Sequence, residues 1–258
     1  MALRLESKNA LITGGASGIG RATAIRFAEE GANLFVADRY LKGAEETAAQ
    51  VKKLGRRAIA HQVDTSDEAQ VDAMVARMVD ELGGVDIVVA AAGISHARYG
   101  EEGLPDAVPL TEKSLANWRK VISVNLDGVF LTDRACAREM VKSGKGGRII
   151  NIASGAARLP TPGVGEYSVS KAGVWMLTKV LATELAEHGI TANAIGPGFI
   201  KTPMTANLDQ LGMTAALLDR VPMRGWVSRS TSRIRRSSSR AKRGATTPAR
   251  FCILTAES

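Results

Sequence analysis

Six short apolar runs, at Asn9–Thr13, Ala32–Ala37, Ala58–Val63, Val85–Ala92, Arg148–Ala153 and Ile190–Ile195, recur along the first two hundred residues of this 258-residue chain. Each is rich in β-branched or small apolar residues and nearly continuous in hydrophobicity. A strand with one face in water alternates apolar and polar residues, so unbroken runs predict strands covered on both faces, as in a parallel sheet. Parallel strands need crossover connections, and segments of helical period separate the runs. The clearest predicted helix is Asp67–Leu82, where Val71, Met74, Val75, Met78 and Leu82 form one apolar stripe. Thr65 with Glu68 predicts a capping box at its start, and Gly83-Gly84 stops it. This alternation predicts an α/β fold: a Rossmann-like, doubly wound parallel sheet with helices on both faces and right-handed crossovers.

Charge divides the chain differently. The net charge of +8 invites a nucleic-acid or membrane reading, but Met1 to Arg220 carry 25 basic and 25 acidic residues. The surplus lies in Val221 to Ser258, with nine Lys and Arg against Glu257 alone. We therefore read residues 1–226 as one domain holding the whole site, and 227–258 as an atypical basic Ser/Arg-rich tail. The stretch Ser228 to Arg240 cannot bury an apolar face, and the tail is read as disordered or translated from a shifted frame. No aromatic residues interleave with its arginines, which argues against a nucleic-acid arm. Phe251-Cys252-Ile253-Leu254 is its one segment able to serve as a short edge strand.

Composition excludes several classes. No run reaches the roughly 18 apolar residues of a membrane helix, and the opening Met-Ala-Leu-Arg-Leu-Glu lacks a signal-peptide pattern, so a cytoplasmic protein is expected. Cys136 and Cys252 cannot form a disulfide framework, and His61, His96 and His188 have no neighbours at metal-ligand spacing. No metal is expected.

Two segments carry chemistry. The first predicted strand runs into Thr13-Gly14-Gly15-Ala16-Ser17-Gly18-Ile19-Gly20, followed by a helical Arg21 to Glu30. Glycines let a backbone approach a pyrophosphate, and the N–H groups and dipole of a helix N-terminus stabilise its charge, which predicts dinucleotide binding. Asp38 closes the second strand, where a carboxylate accepts from ribose hydroxyls and repels a 2′-phosphate, favouring NAD. Arg39 follows and can instead clamp that phosphate, keeping NADP open. Asp64, ending the third strand, suits either the adenine amino group or a helix cap.

The second segment is Tyr167-Ser168-Val169-Ser170-Lys171, opening a long helical stretch that reaches His188. Residues four apart share a helix face, and a nearby ammonium favours phenolate, so Tyr167 is expected below its reference pKa of about 10. Ser154 lies just past the fifth strand, at the carboxyl edge where such sheets hold ligands.

Taken together, these motifs make the chain resemble the single-domain short-chain dehydrogenase/reductases from Leu5 to about Arg224. The resemblance rests on Thr13–Gly20, Asp64, Asn125 in Val124-Asn125-Leu126, Ser154, Tyr167 to Lys171, and Asn193-Ala194-Ile195-Gly196-Pro197-Gly198. It implies that Tyr167 is the acid/base, that Ser154 bonds the substrate oxygen, and that Lys171 tunes the phenol and holds the nicotinamide ribose. Asn125 would bend its helix and bind a water leading to Lys171. Gly14, Ser17, Gly18, Ile19, Gly20, Asp38, Arg39, Asp64, Ala91, Gly93, Pro197, Gly198, Ile200 and Thr202, with Tyr167 and Lys171, would contact the nucleotide. One departure stands out: the family's Asn-Asn-Ala-Gly after the fourth strand is Ala90-Ala91-Ala92-Gly93 here, without two amides. The implied activity is NAD(P)-dependent interconversion of a secondary alcohol and a ketone, with 3-oxoacyl reduction the commonest label. The competing readings are a dinucleotide-binding protein impaired by its altered carboxyl end, and a basic-tailed interaction protein. Ile94 to Pro109, with Arg98, Tyr99, Glu101 and Glu102, and Thr202 to Leu218 are read as a variable loop and lid. Val174 to Leu181 is apolar around most of its circumference, which predicts a homodimer or homotetramer through that helix.

Overall fold

The computed structural model describes residues 3–96, 108–198, 200, 202–206 and 251–254. Seven parallel strands lie in the order β3-β2-β1-β4-β5-β6-β7. They are β1 (Asn9–Thr13), β2 (Asn33–Asp38), β3 (Ala58–Gln62), β4 (Ile87–Ala90), β5 (Gly147–Ile152), β6 (Ile190–Pro197) and β7 (Phe251–Leu254). Six coincide with the apolar runs to within a few residues at either end. The seventh comes from the tail: Phe251 pairs with Ala194 and Leu254 with Pro197, so four apolar residues close the sheet beyond β6.

Successive residues of β1 face opposite cores. Leu11 packs with Phe35, Val88 and Ile149 under α3 (Glu68–Leu82) and α5 (Gly128–Ser143). Ala10 and Ile12 pack with Leu34 and Val36 under α1 (Gly18–Glu29) and α2 (Leu41–Lys53). Ala10, Leu11 and Ile12 are all fully buried, which is why this strand shows no alternation. The remaining helices are α4 (Leu115–Ile122) and α6 (Gly165–Glu184).

Helix boundaries depart from the sequence reading in three places. The cap of α3 is Asp67, whose carboxylate accepts from the Gln70 amide at 3.1 Å, rather than Thr65 with Glu68. An ionised acceptor complements the helix dipole better than a hydroxyl, and Thr65 is instead buried against Gly128. Helix α1 starts at Gly18, three residues earlier than expected, so the glycine loop supplies its first turn. Helix α6 ends at Glu184, and a 3₁₀ turn, Ala186–His188, completes the stretch before Gly189. Between α4 and α5 the chain widens into a π-turn at Ser123–Asp127, centred on Asn125, the residue expected to bend its helix.

The basic stretch 228–240, Trp226, residues 207–218, and Arg98, Tyr99, Glu101 and Glu102 lie outside the described residues. Among the described residues no helix is long and apolar enough to cross a membrane.

Candidate active site

A cleft of about 780 Å³ opens at the carboxyl ends of the strands, where open α/β sheets receive ligands. At one end is the glycine loop. Gly14 holds φ +66°, and a Cβ there would stand 2.8 Å from the Ala91 and Ala92 backbone. A Cβ on Gly20 would meet the Gly14 carbonyl oxygen at 2.2 Å. The loop is therefore folded tightly on itself and against the end of β4. Ser17, the N-cap residue of α1, makes no side-chain capping bond, and no acidic residue occupies the first turn. Uncapped N–H groups and small residues are what a pyrophosphate requires, so the chain fits a dinucleotide at this end.

The missing amides of Ala90-Ala91-Ala92-Gly93 leave that turn held by another group. The Thr13 hydroxyl accepts from the amides of Ala91 and Ala92, at 3.2 and 3.3 Å. Asp38 is fixed in turn: Oδ2 accepts from the Ala16 amide and Oδ1 from the Tyr40 amide, both at 2.9 Å. Asp38 lines the cleft, and each oxygen keeps further acceptor capacity. Arg39 lines the same wall.

Asp64 is no helix cap. Its Oδ1 accepts from the Ser66 amide at 3.0 Å and hydroxyl at 2.6 Å. Burial alone would raise its carboxyl, but the Ser66 bonds and the nearby Lys120 and Arg39 cations hold it below its ordinary value. Lys120, which also lines the cleft, carried no sequence signal because α4 reads only as an amphipathic helix.

At the other end, the first turns of α6 bring Tyr167 and Lys171 beside Ser154. Lys171 is buried, with Nζ donating to the Ile152 carbonyl at 2.8 Å and lying 5.8 Å from the centre of the Tyr167 ring. Burial lowers the ammonium to about 8. Burial also raises the Tyr167 phenol above its ordinary 10, against a smaller lowering from its hydrogen bond with Ser154. This corrects the expected depression of the phenol: withdrawing a phenolate from water costs more here than the Ser154 hydrogen bond returns.

Asn125 does not line the cleft. It is fully buried in the π-turn, where Oδ1 accepts from the Ile94 amide at 2.7 Å and Nδ2 donates to the Ile94 carbonyl at 2.8 Å. Nδ2 also lies 3.2 Å from Ser170 Oγ, which donates to the Tyr167 carbonyl at 2.7 Å. Asn125 thus ties the chain after β4 to the start of α6. The other sequence-derived residues do line the cleft: Gly14, Ser17, Gly18, Ile19, Gly20, Asp38, Arg39, Asp64, Ala91, Gly93, Ser154, Tyr167, Lys171, Pro197, Gly198, Ile200 and Thr202. Thr202 stands over Gly18, 3.6 Å from where its Cβ would be. Pro203 and Met204, inside the Thr202 to Leu218 stretch read as a lid, continue this wall in a 3₁₀ turn, Pro203–Thr205.

Comparisons with known proteins agree with this geometry. The short chain dehydrogenase family model matches residues 8–211. The chain is 39% identical to the 2,5-dichloro-2,5-cyclohexadiene-1,4-diol dehydrogenase LinX of Sphingobium indicum, over 81% of this chain and 79% of that protein. It is 36% identical to the 3-oxoacyl-[acyl-carrier-protein] reductase FabG of Thermotoga maritima, over 86% and 85%. The crystal structure of a short-chain type dehydrogenase/reductase from Mycobacterium marinum superposes with a TM-score of 0.80 at 34% identity, covering 88% of this chain and 86% of the other.

Proposed function

Because this chain belongs to the short-chain dehydrogenase/reductase family of NAD(P)-dependent enzymes, we propose that it interconverts a secondary alcohol and a ketone with Tyr167 as acid/base and NAD as its nucleotide. The observation that carries this reading is the convergence of Tyr167, Ser154 and Lys171 on one cleft with an uncapped glycine loop. The nucleotide supplies or accepts the hydride. Around it, the protein orients the carbonyl and handles the proton.

In ketone reduction, Ser154 and Tyr167 bond the substrate oxygen and the phenol gives up its proton as negative charge develops there. A phenol raised by burial is protonated at neutral pH, the form reduction needs. In alcohol oxidation the same oxygen must receive the proton, so oxidation rises with pH. Lys171, in the same cleft, would hold the ribose of the nicotinamide half and supply positive charge near the phenol. Asn125 acts by holding Ile94 and, through Ser170, the backbone of Tyr167. Pro197, Gly198, Ile200 and Thr202, which line the cleft, would form the wall beside the nicotinamide.

Asp38 favours NAD because its carboxylate, held in place by two backbone amides, stands where a 2′-phosphate would bring like charge. The substrate reading is a small alcohol or ketone; the names of the two curated relatives, a cyclic diol dehydrogenase and a 3-oxoacyl reductase, bracket the candidates. We also read the protein as a homodimer or homotetramer. Val169, Met176 and Val180 are 46%, 56% and 44% exposed along one stripe of α6.

The test is absorbance at 340 nm with panels of secondary alcohols plus NAD or NADP, and of ketones plus the reduced forms. Turnover of at least one panel member, faster with NAD, is expected. Nucleotide binding without turnover of any member would favour the impaired dinucleotide-binding protein instead.

A further inference from the structure

We propose that the buried ion pair between Lys113 and Glu166 is a positioning clamp for Tyr167, joining the chain ahead of α4 to the first turn of the helix that carries the phenol. This rests on the proposed role of Tyr167. Glu166 immediately precedes Tyr167 and is fully buried, and the Lys113 and Glu166 side chains are only 2% and 1% exposed. Lys113 Nζ stands 3.0 Å from Glu166 Oε1 and also reaches the Gly163 carbonyl at 3.5 Å. One ammonium therefore spans the turn leading into α6.

Two further observations and a general rule make this a device for position. Neither Glu166 oxygen has a hydrogen-bond donor of good geometry among the described residues, so the ammonium is the carboxylate's compensation. Beside it Leu110 packs against Gly165 so closely that a Cβ there would stand 2.6 Å from the leucine side chain. Residues 110–113 are thus seated on the start of α6 by one apolar and one ionic contact. Burying two charges gains little stability over an apolar pair of the same shape, whereas removing one partner leaves a bare charge in the core. Retaining the pair fixes one register of helix against strap, and the residue whose angle that register sets is Tyr167.

The experiment compares Lys113→Met, Glu166→Gln, the double variant and the charge-keeping Glu166→Asp, with folding checked by circular dichroism. Readouts are kcat, the Kd of NADH by fluorescence, and the phenol titration of Tyr167 by ultraviolet difference against Tyr167→Phe; the chain has three tyrosines, so the subtraction isolates one. Each single variant is expected to lose on the order of 100-fold in kcat, the scale of an ångström misplacement, with the NADH Kd within about twofold. Water admitted to the loosened turn brings the phenol titration down, towards about 10. The double variant recovers at least part of both losses, and Glu166→Asp, which keeps the charge but shortens the reach, shows the kcat loss in a folded protein. Unchanged kcat and phenol titration in folded Glu166→Asp overturn the clamp. So does a double variant no better than the worse single one. The phenol titration needs no turnover, so a wild-type protein inactive on every alcohol and ketone would sink the proposed function while the clamp was still decided.

Discussion

Asp133 shows how burial sets chemistry at a single position. It is fully buried on α5, Asn151 Nδ2 donates to Oδ2 at 2.8 Å, and its Oδ1 has no partner among the described residues. Asn151 also donates to Thr178 Oγ1 at 3.0 Å, so the acid is wired to β5 and to the inner face of α6. Burial pushes the carboxyl up to about 7, against a smaller lowering by Asn151. A raised carboxyl means that the folded state binds the proton more tightly than the unfolded chain. Stability is then greatest below the unfolded value near 4 and is lost as pH rises from there to about 7. Asp133→Asn is therefore expected to leave the unfolding free energy near wild type at pH 4 and to raise it by about 2–4 kcal/mol at pH 8. Denaturant titration at the two pH values checks this; equal changes at both would contradict it. The residues that carry chemistry were legible because spacing constrains them: Tyr167 and Lys171 are four apart on a helix, and Gly14 to Gly20 follow a strand. Their ionisation was not. The sign of the Tyr167 shift depends on how far burial outweighs its hydrogen bond with Ser154, which no spacing reveals.

At the scale of elements, the glycine loop is the most constrained piece of the fold. Gly20 sits in the first turn of α1 with the Gly14 carbonyl directly against its Cα hydrogen, so a methyl group must displace backbone rather than a flexible side chain. Gly20→Ala is expected to destabilise the protein by at least about 2 kcal/mol, the scale of overpacking at a rigid contact. It is also expected to weaken NADH binding at least tenfold, read by thermal unfolding and fluorescence titration. Wild-type values for both would mean that the loop is looser than its geometry indicates. Strands were legible from their uniform apolarity because each is covered twice. The π-turn at Ser123–Asp127 was legible only through the family resemblance, which has Asn125 bend its helix; its cause is tertiary, because Asn125 satisfies both backbone groups of Ile94, thirty-one residues earlier in the chain. The α3 cap was misread by two residues because Thr65 and Asp67 are both competent caps, and burial of Thr65 decided between them.

For the whole molecule, the sheet is completed by the one segment of the tail that the sequence offered as an edge strand. Val221 to Ser258 carry the chain's entire net charge, yet β7 lies beside β6 and occupies an edge whose N–H and C=O groups would otherwise be open. Only the apolar character of residues 251–254 hinted at this. The exposed stripe of α6 is the molecule's other statement about its surroundings. Replacing the 56%-exposed Met176 by Lys places a charge in the centre of that stripe. Light scattering with size-exclusion chromatography is expected to show a dimer or tetramer for the wild type and a smaller species for Met176→Lys. A monomeric wild type would remove the proposed interface.

The proposed chemistry is tested most directly by kcat and nucleotide affinity in Tyr167→Phe, which deletes one hydroxyl from a half-buried ring and leaves its packing. Loss of the acid/base is expected to lower kcat by at least about 10²–10⁴-fold while the NADH Kd stays within about twofold. A Tyr167→Phe protein that turns over substrate at the wild-type rate would contradict the account.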